Sequence, residues 1–359
     1  EHVFAGSTNI GHSSYNTLPI GTGPFRVSHY EQGSELDLVA NDHYWRGPPR
    51  LKEVQWRIVA NDNTLLTLMK THEIDMYYRL PHVYRQQFAD APGETVVHAP
   101  FTRLIDIGFN IASPIVADVR VRQALAYATD RQSIIDKVTQ GAGILTDSDQ
   151  PPYIWAYDAN APKYPYDPKK AAGLLDSAGW KLGEGGVRVK DGVQLRLGLA
   201  GIAGDAESMT MREMLQSEWQ QIGVATEIKS YPSDILYGPL AAGGIEQSGH
   251  FDVILEGFAN GSDPDDSVLF ECRWRPPAGQ NDYHFCDSQL DSLEEHALAT
   301  NYMALRKADY ARIQEILGQQ LPMYVLYFEQ YEFAINTDLR GLKPAHVNAA
   351  LWDSWEYQI

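Results

Sequence analysis

Polar and apolar residues alternate along this chain with two distinct periods. Val54, Trp56 and Ile58 interleave with Glu53, Gln55 and Arg57, the two-residue period of a strand with one covered face. A helix is expected next, capped by Asp62 or Asn63 and burying Leu65, Leu66 and Met69. Ile74-Asp75-Met76-Tyr77-Tyr78 then reads as a second strand, stopped by Pro81. Strand, helix, strand is the βαβ rhythm of an α/β domain.

The pattern changes after Asn110, where a division between two units is expected. Asp118 can cap a helix carrying Val121, Leu125 and Ala128. Asp130 can cap a second with Ile134, Ile135 and Val138, ended by Gly141. Residues 144 to 166 form a long loop in which Pro151, Pro152, Pro162 and Pro165 interleave with Tyr153, Trp155, Tyr157, Tyr164 and Tyr166. Loops of that length are functional or are packed by their own side chains. Asp167-Pro168 sets a cap before a proline at the first helical position, and Gly179 ends that helix. Val193, Leu195, Leu197 and Leu199 alternate as a strand with one face in a core, and Met211, Met214, Leu215, Trp219 and Ile222 follow at helical spacing. Strands over 224 to 228 and 251 to 255, with a short helix near 234 to 240 between them, complete a second α/β unit. Two long helices fill residues 288 to 320, and Leu321-Pro322-Met323-Tyr324-Val325-Leu326-Tyr327-Phe328 returns as an apolar strand.

Composition agrees with two folded units. The chain has 359 residues, 44% hydrophobic and 21% charged, which is globular and long enough for two cores. Its formal net charge of −18 repels phosphate backbones and anionic lipid headgroups, arguing against nucleic-acid or membrane-surface binding. No apolar run reaches the ~18 residues that span a bilayer. The opening string Glu1-His2-Val3-Phe4-Ala5 has neither the basic nor the apolar region of a secretion signal. The two cysteines, Cys272 and Cys286, flank a Pro-Pro-Ala-Gly-Gln-Asn stretch that must turn. Paired, they would stabilise by roughly 3 kcal/mol in the chain-entropy model and indicate an oxidising compartment; the alternative is two buried thiols in a cytosolic protein.

Catalytic signatures are missing. The chain has no His-Glu-x-x-His, Gly-x-Ser-x-Gly, Walker phosphate loop or Rossmann glycine fingerprint, and no two of its histidines stand at helical ligand spacing. Asp263-Pro264-Asp265-Asp266 is the densest acidic cluster. It lacks the offsets and glycine of a calcium loop and reads as a turn whose aspartates cap nearby amides.

Several strings occur in a telling order. Gly21-Thr22-Gly23-Pro24-Phe25 and Asn41-Asp42-His43-Tyr44-Trp45 open the series. His72-Glu73-Ile74-Asp75-Met76, Phe109-Asn110 and the segment from Asp118 to Leu125 follow, then Ala128-Thr129-Asp130-Arg131 and Tyr166-Asp167-Pro168-Lys169-Lys170-Ala171 through Ala178-Gly179-Trp180. Along nearly the whole chain they resemble the extracytoplasmic solute-binding proteins of peptide and nickel ABC importers. Each also has a plain structural reading: Gly21, Gly23 and Pro24 permit a tight turn into a strand, and Tyr44 and Trp45 are packing residues.

The resemblance implies an α/β, two-lobed periplasmic-binding-protein-like fold of type II, in its peptide-binding class. It assigns residues 1–110 to a partial first lobe, 111–322 to a second α/β lobe and 323–359 to a return to the first. In the family the glycine string lies well inside the chain, whereas here it begins at residue 21, so the first lobe is expected to be incomplete and ligand binding by this chain weak. The implied function is capture of a peptide or related extended solute between two closing lobes and delivery to a membrane permease. No catalysis, cofactor, metal or nucleic acid is expected, and the protein should act as a monomer. The implied location is periplasmic or extracellular, with lipid anchoring of a longer form left open. A solute sensor on the same fold is the alternative, and a peptide or glycoside hydrolase a more distant one.

The resemblance also points to ligand residues. In the family a Gly-Trp dipeptide ends a strand of the second lobe, and an aspartate four residues before a proline holds a peptide's α-ammonium. The run here, Gly257-Phe258-Ala259-Asn260-Gly261-Ser262-Asp263-Pro264, is one residue short. Counting back from Pro264 puts Asn260 at the aspartate position; counting forward from Gly257-Phe258 puts Gly261 there. Neither supplies the carboxylate that a buried ammonium needs, and an amide or hydroxyl-rich solute or a blocked peptide suits Asn260 better. Phe258 and Asp263 accompany it. Tyr78 and Arg79 align with a ligand-facing segment, where Arg79 could pair with a carboxylate or remain a solvated charge. Trp274 and Tyr283, with Arg273 and Arg275, surround the cysteines and form either a cleft lip or a loop packed on itself.

Overall fold

The computed structural model describes residues 13–345 and 351–359, so the string Glu1-His2-Val3-Phe4-Ala5 lies outside the described residues. The chain divides into two compact units, Glu1–Phe101 with Tyr331–Ile359, and Thr102–Gln330. The divisions expected near Asn110 and Met323 fall instead inside two long strands. Their apolar pattern continues across both crossings, so periodicity carries no mark of them.

In the first unit, β1 (Phe25–Glu31), β2 (Glu35–Ala40) and β3 (Glu53–Arg57) form an antiparallel sheet in that order. Val54 and Trp56 are half-covered, as their alternation predicts, whereas Ile58 lies past the strand and is exposed. The two opening strings bind each other. Asn41 donates from Nδ2 to the Gly23 carbonyl (2.9 Å) and from its backbone N–H to the Pro24 carbonyl (2.8 Å), closing the open end of the β1–β2 hairpin. The chain bends at Thr22, Gly23 and Pro24 as it enters β1, as the turn reading expects. Neither Gly21 nor Gly23 adopts a left-handed φ, and a Cβ at either would meet nothing closer than 3.9 Å. Tyr44 is buried, but Trp45 is 71% exposed with the Arg46 guanidinium 4.5 Å above its ring, so only Tyr44 packs as expected.

The next helix, α1 (Asp62–Lys70), is capped by Asn61, one residue earlier than expected, whose side chain accepts from the Thr64 N–H; Leu66 and Met69 are buried. The following strand, β4 (Met76–Tyr77), has only two residues and pairs antiparallel with Ala334 and Ile335. β3, α1 and β4 are therefore no βαβ unit, because the two strands belong to different sheets. Alternation specifies a strand's covered face without naming its neighbour. A short helix, α2 (Arg85–Ala89), leads to β5 (Glu94–Phe109), which carries the chain into the second unit.

There α3 (Val119–Tyr127), α4 (Arg131–Val138) and α5 (Pro168–Ser177) start at Asp118, Asp130 and Asp167, each accepting a backbone N–H of the first turn as the sequence predicts. The loop between α4 and α5 is packed by its own side chains: Tyr164 donates to the Gly318 carbonyl (2.6 Å), and Trp155 meets Tyr310 edge-on at 5.7 Å. A small antiparallel sheet follows, made of β6 (Lys181–Leu182), β7 (Arg188–Lys190) and β8 (Val193–Gln194). Val193 thus belongs to a different sheet from Leu197 and is exposed. β9 (Arg196–Ile202), α6 (Ala206–Gln221) and β10 (Ala225–Tyr231) form a parallel βαβ unit. Both faces of β9 are covered, since Gly198 and Ala200 are buried along with Leu197 and Leu199. The expected single covered face is corrected accordingly, and a central parallel strand requires this.

After α7 (Ser233–Leu236), β11 (Val253–Ala259) pairs parallel with β9 and antiparallel with β5. The short α8 (Ser267–Phe270) and the long α9 (Ser288–Ala299) and α10 (Met303–Gln320) precede β12 (Met323–Asn336). In this unit the sheet order is β10-β9-β11-β5-β12, and β12 continues into the first unit to meet β4.

Arg122 joins several of these elements. It is 3% exposed and donates to the carbonyls of Val116 (2.7 Å), Ala117 (2.8 Å), Gln320 (3.1 Å) and Leu321 (2.9 Å). Burial pulls its guanidinium down to about 10, so it stays charged at neutral pH. Arg122→Met keeps the stem and strips four carbonyls of their donor, and it should cost about 3 kcal/mol or more in urea unfolding. A loss under about 1 kcal/mol would show that the joint does not depend on it.

Candidate functional site

The run singled out in the sequence lies where β11 leaves the sheet. Gly257 faces Ile105 across the β5–β11 ladder, and a Cβ there would come within 2.7 Å of Arg103 Nη2 and 2.8 Å of the Leu104 carbonyl, so only glycine fits. Phe258 is half-buried against the cluster formed by α9, α10 and the loop before α5. Asn260 prolongs the ladder by one bond, its N–H to the Thr102 carbonyl (3.1 Å), and its own carbonyl accepts from Thr102 Oγ1. Its side chain is 6% exposed. Nδ2 donates to the Asp149 carbonyl (3.2 Å), while Oδ1 is buried without a donor.

The acidic turn follows at once, and its aspartates do different work. Asp265 accepts the Ser267 N–H (3.1 Å), the capping role expected of the turn. Asp263, half exposed, pairs with Arg306 at 2.6 Å, and that guanidinium lies 5.1 Å over Trp155. Asp266 is 1% exposed and points inward beside Asp149 and Glu294. Gln150 bridges the group: its Nε2 donates to Asp149 Oδ2 (2.8 Å), the Pro264 carbonyl (3.0 Å) and Asp266 Oδ2 (3.3 Å). Burial is the main cause that pushes Asp266 well up and Glu294 up to about 8. The sequence marks Asp266 only as part of the acidic turn and does not announce this cluster, because Asp149 and Glu294 stand far from it along the chain.

A second acidic group, also invisible in the sequence, gathers the buried Asp106 on β5 and Asp282 with the half-buried Glu256 on β11 and Glu246. Burial and mutual repulsion push Glu246 up to about 11 and Glu256 up to about 7. Tyr283 belongs here: it is 3% exposed, stacks on Phe270 at 5.9 Å and reaches Asp106 Oδ2 at 3.4 Å. It is therefore an interior residue and not a cleft lip. Cys272 and Cys286 are bonded, and the loop between them packs on itself. Asn281 Nδ2 donates to the carbonyls of Phe270, Glu271 and Phe285, while Trp274 lies half-buried with Arg273 5.2 Å over its ring.

In the first unit Tyr78 is half-buried and packs between Trp56 (5.3 Å) and Phe333 (5.2 Å). Arg79 is exposed with φ 56° and lies 4.5 Å over the Tyr331 ring; among the described residues no carboxylate pairs with it. The sequence did not mark Glu332, which is 1% exposed, is hydrogen-bonded to His82 Nδ1 (3.0 Å), ion-pairs with Arg85 (Nε at 2.6 Å) and lies 3.2 Å from His98 Nδ1. Burial alone would raise its carboxyl, but His82 and Arg85 outweigh burial and hold it below the usual range. His29, Glu31 and Glu35 bring ligand atoms within 4.8 Å of one another on the β1–β2 hairpin, largely in solvent. Helical ligand spacing does not reveal them, because two lie on β1 and the third on β2.

Comparison with known proteins gives these features a frame. Residues 5–273 match the family described as bacterial extracellular solute-binding proteins, family 5 Middle. The oligopeptide-binding protein AppA of Bacillus subtilis is 26% identical over 328 residues, 90% of this chain and 59% of its own length. Di/tripeptide-binding protein 1 of Pseudomonas aeruginosa is 30% identical over 318 residues, 87% of this chain and 56% of its own. The chain thus spans less than two thirds of the length of these relatives. The solved structure of NikZ from Campylobacter jejuni in complex with Ni(L-His) matches all of this chain and 72% of that one, at 25% identity and a TM-score of 0.83. The fold is accordingly the two-unit α/β architecture of type II periplasmic binding proteins. With the family match covering well over half of its residues, the chain belongs to the bacterial extracellular solute-binding proteins of family 5.

Proposed function

We propose that this protein is the extracytoplasmic solute-binding component of an ABC importer, periplasmic or extracellular, which binds a peptide or related extended solute and hands it, unaltered, to a membrane permease. Family membership carries the reading. The bonded cysteines, which suit an oxidising compartment, agree with it. No helix among the described residues is long and apolar enough to cross a membrane.

Asn260 is the ligand residue we favour, with Phe258 and Asp263 beside it in the second unit and Trp274 on the disulfide loop of that unit; in the first unit, taken by itself, the exposed Arg79 is the candidate, while the Tyr78 ring is engaged by Trp56 and Phe333. The buried Asn260 Oδ1 lacks a donor, and a solute N–H would supply one. An amide oxygen carries no charge to compensate a desolvated ammonium, so a free peptide N-terminus gains little there. Asp263 does not replace the missing charge, since it is already matched by Arg306.

Native mass spectrometry of the protein purified from its own cells should find a co-purifying peptide or similar solute, and calorimetry with a peptide panel should show binding without turnover. Absence of both a retained solute and any peptide binding would overturn the function. In that panel an N-acetylated peptide should bind within about tenfold of its free-amino twin, a difference of ~1.4 kcal/mol. A larger free-amino preference would remove the argument from Asn260. Asn260→Ala should weaken the solute by about tenfold at an unchanged stoichiometry. Unaltered affinity would take Asn260 out of the site.

A further inference from the structure

Asp149 on the loop after α4, Asp266 at the head of α8 and Glu294 within α9 are 4%, 1% and 0% exposed. Asp266 lies within hydrogen-bonding reach of both others. No Lys, Arg or His among the described residues ion-pairs with any of the three. The cations of this region are engaged elsewhere, Arg306 with Asp263 (2.6 Å) and Arg273 with Glu271 (2.5 Å). Hydrogen-bond donors are as scarce as cations. Asp266 Oδ1 and both Glu294 oxygens are buried with no donor. A separate observation comes from Gln150, which is uncharged and 0% exposed. Its Nε2 serves the carboxyls of Asp149 and Asp266, and its Oε1 is also buried with no donor.

Three ionised carboxylates in such a setting would repel one another and face unmatched acceptors. A proton held between two carboxyl oxygens removes a charge and provides an O–H donor in one step. We propose that Asp149, Asp266 and Glu294 share protons in the folded protein and form a base-sensitive clamp. It joins the loop after α4, the turn after β11 and helix α9, and it loosens as those protons leave. The inference does not depend on which solute the protein binds, or whether it binds one.

Other groups face the cluster from every side. Asp263 and Asp265 lie on the turn, Glu271 beyond α8, and Tyr310 and Arg306 on α10; all but Arg306 are acidic or neutral, and Arg306 is spent on Asp263. The sign follows from the raised carboxyl of Glu294. The folded protein keeps a proton that an unfolded glutamate releases near pH 4.5, so stability is greatest below that point and falls as pH rises toward about 8. The acidic group around Glu246 and Glu256 acts in the same direction but is untouched by substitutions in the clamp.

Urea unfolding of wild type and Glu294→Gln across pH 5 to 9 isolates the clamp. The substitution keeps the shape and removes the titration. It should abolish up to about tenfold per pH unit of the rise in the unfolding constant, and the variant should equal or exceed wild type near pH 9. Amide exchange over residues 260 to 271, corrected for its intrinsic pH dependence, should accelerate with pH in wild type and less so in the variant. An unchanged slope, or a variant less stable than wild type near pH 9, as a carboxylate held by a bound cation would give, overturns the proposal. Should Glu294→Gln not fold, Asp266→Asn at the centre of the cluster carries the same expectations.

Discussion

The second unit depends on supplying hydrogen-bond donors to backbone carbonyls at the buried ends of its helices and strands. A buried carbonyl without a donor costs about 1–3 kcal/mol, and such ends accumulate where elements meet. Interior arginines fill the role. Arg122 serves the end of α10 and the approach to α3, and Arg131 serves the carbonyls of Thr146 and Val325. Arg188 reaches those of Ile222 and Trp180, and Arg212 those of Ile202 and Lys229. Each guanidinium joins separate elements, near in sequence for Arg212 and far apart for Arg122, which is why an interior with so many charges still forms a defined set of joints.

The same accounting places the candidate site. Along β11 the backbone groups are matched by β5, but after Ala259 the ladder has one bond left, through Asn260. From there the chain relies on side chains: Thr102 and Gln150 as donors, Asp265 as an acceptor. Arginine is absent from this stretch except on its outer side, where Arg306 holds Asp263. The inner side is rich in acceptors and poor in donors. That imbalance ties the proton-sharing carboxyls and the unmatched Asn260 oxygen to one local cause.

Local features were legible in the sequence wherever a single segment determined them. The Asp118, Asp130 and Asp167 caps, the βαβ unit built on α6, the long α9 and α10 and the Cys272–Cys286 bond all follow from residues close together in the chain. What escaped depends on partners. Periodicity could not tell that β3 and β4 join different sheets, that β9 is covered on both faces, or that Tyr283 is drawn inside by Phe270 and Asp106. The acidic clusters escaped for the same reason, since Asp149, Asp266 and Glu294 meet only after the loop, the turn and α9 are in place.

The strings that identify the family show what sequence patterns of this kind record. Gly21 to Phe25 and Asn41 to Trp45 are far apart as text but form one junction through two hydrogen bonds from Asn41. Their coexistence therefore reports a closed hairpin, and neither glycine is there for a left-handed turn. The residue we propose to meet the ligand belongs to no such pair of strings, and so its mark in the sequence is fainter. At Asn260 the trace is a substitution in a shortened run. Its physical meaning appears only in the surroundings, where one side of the amide is engaged by the Asp149 carbonyl and the other waits for a donor.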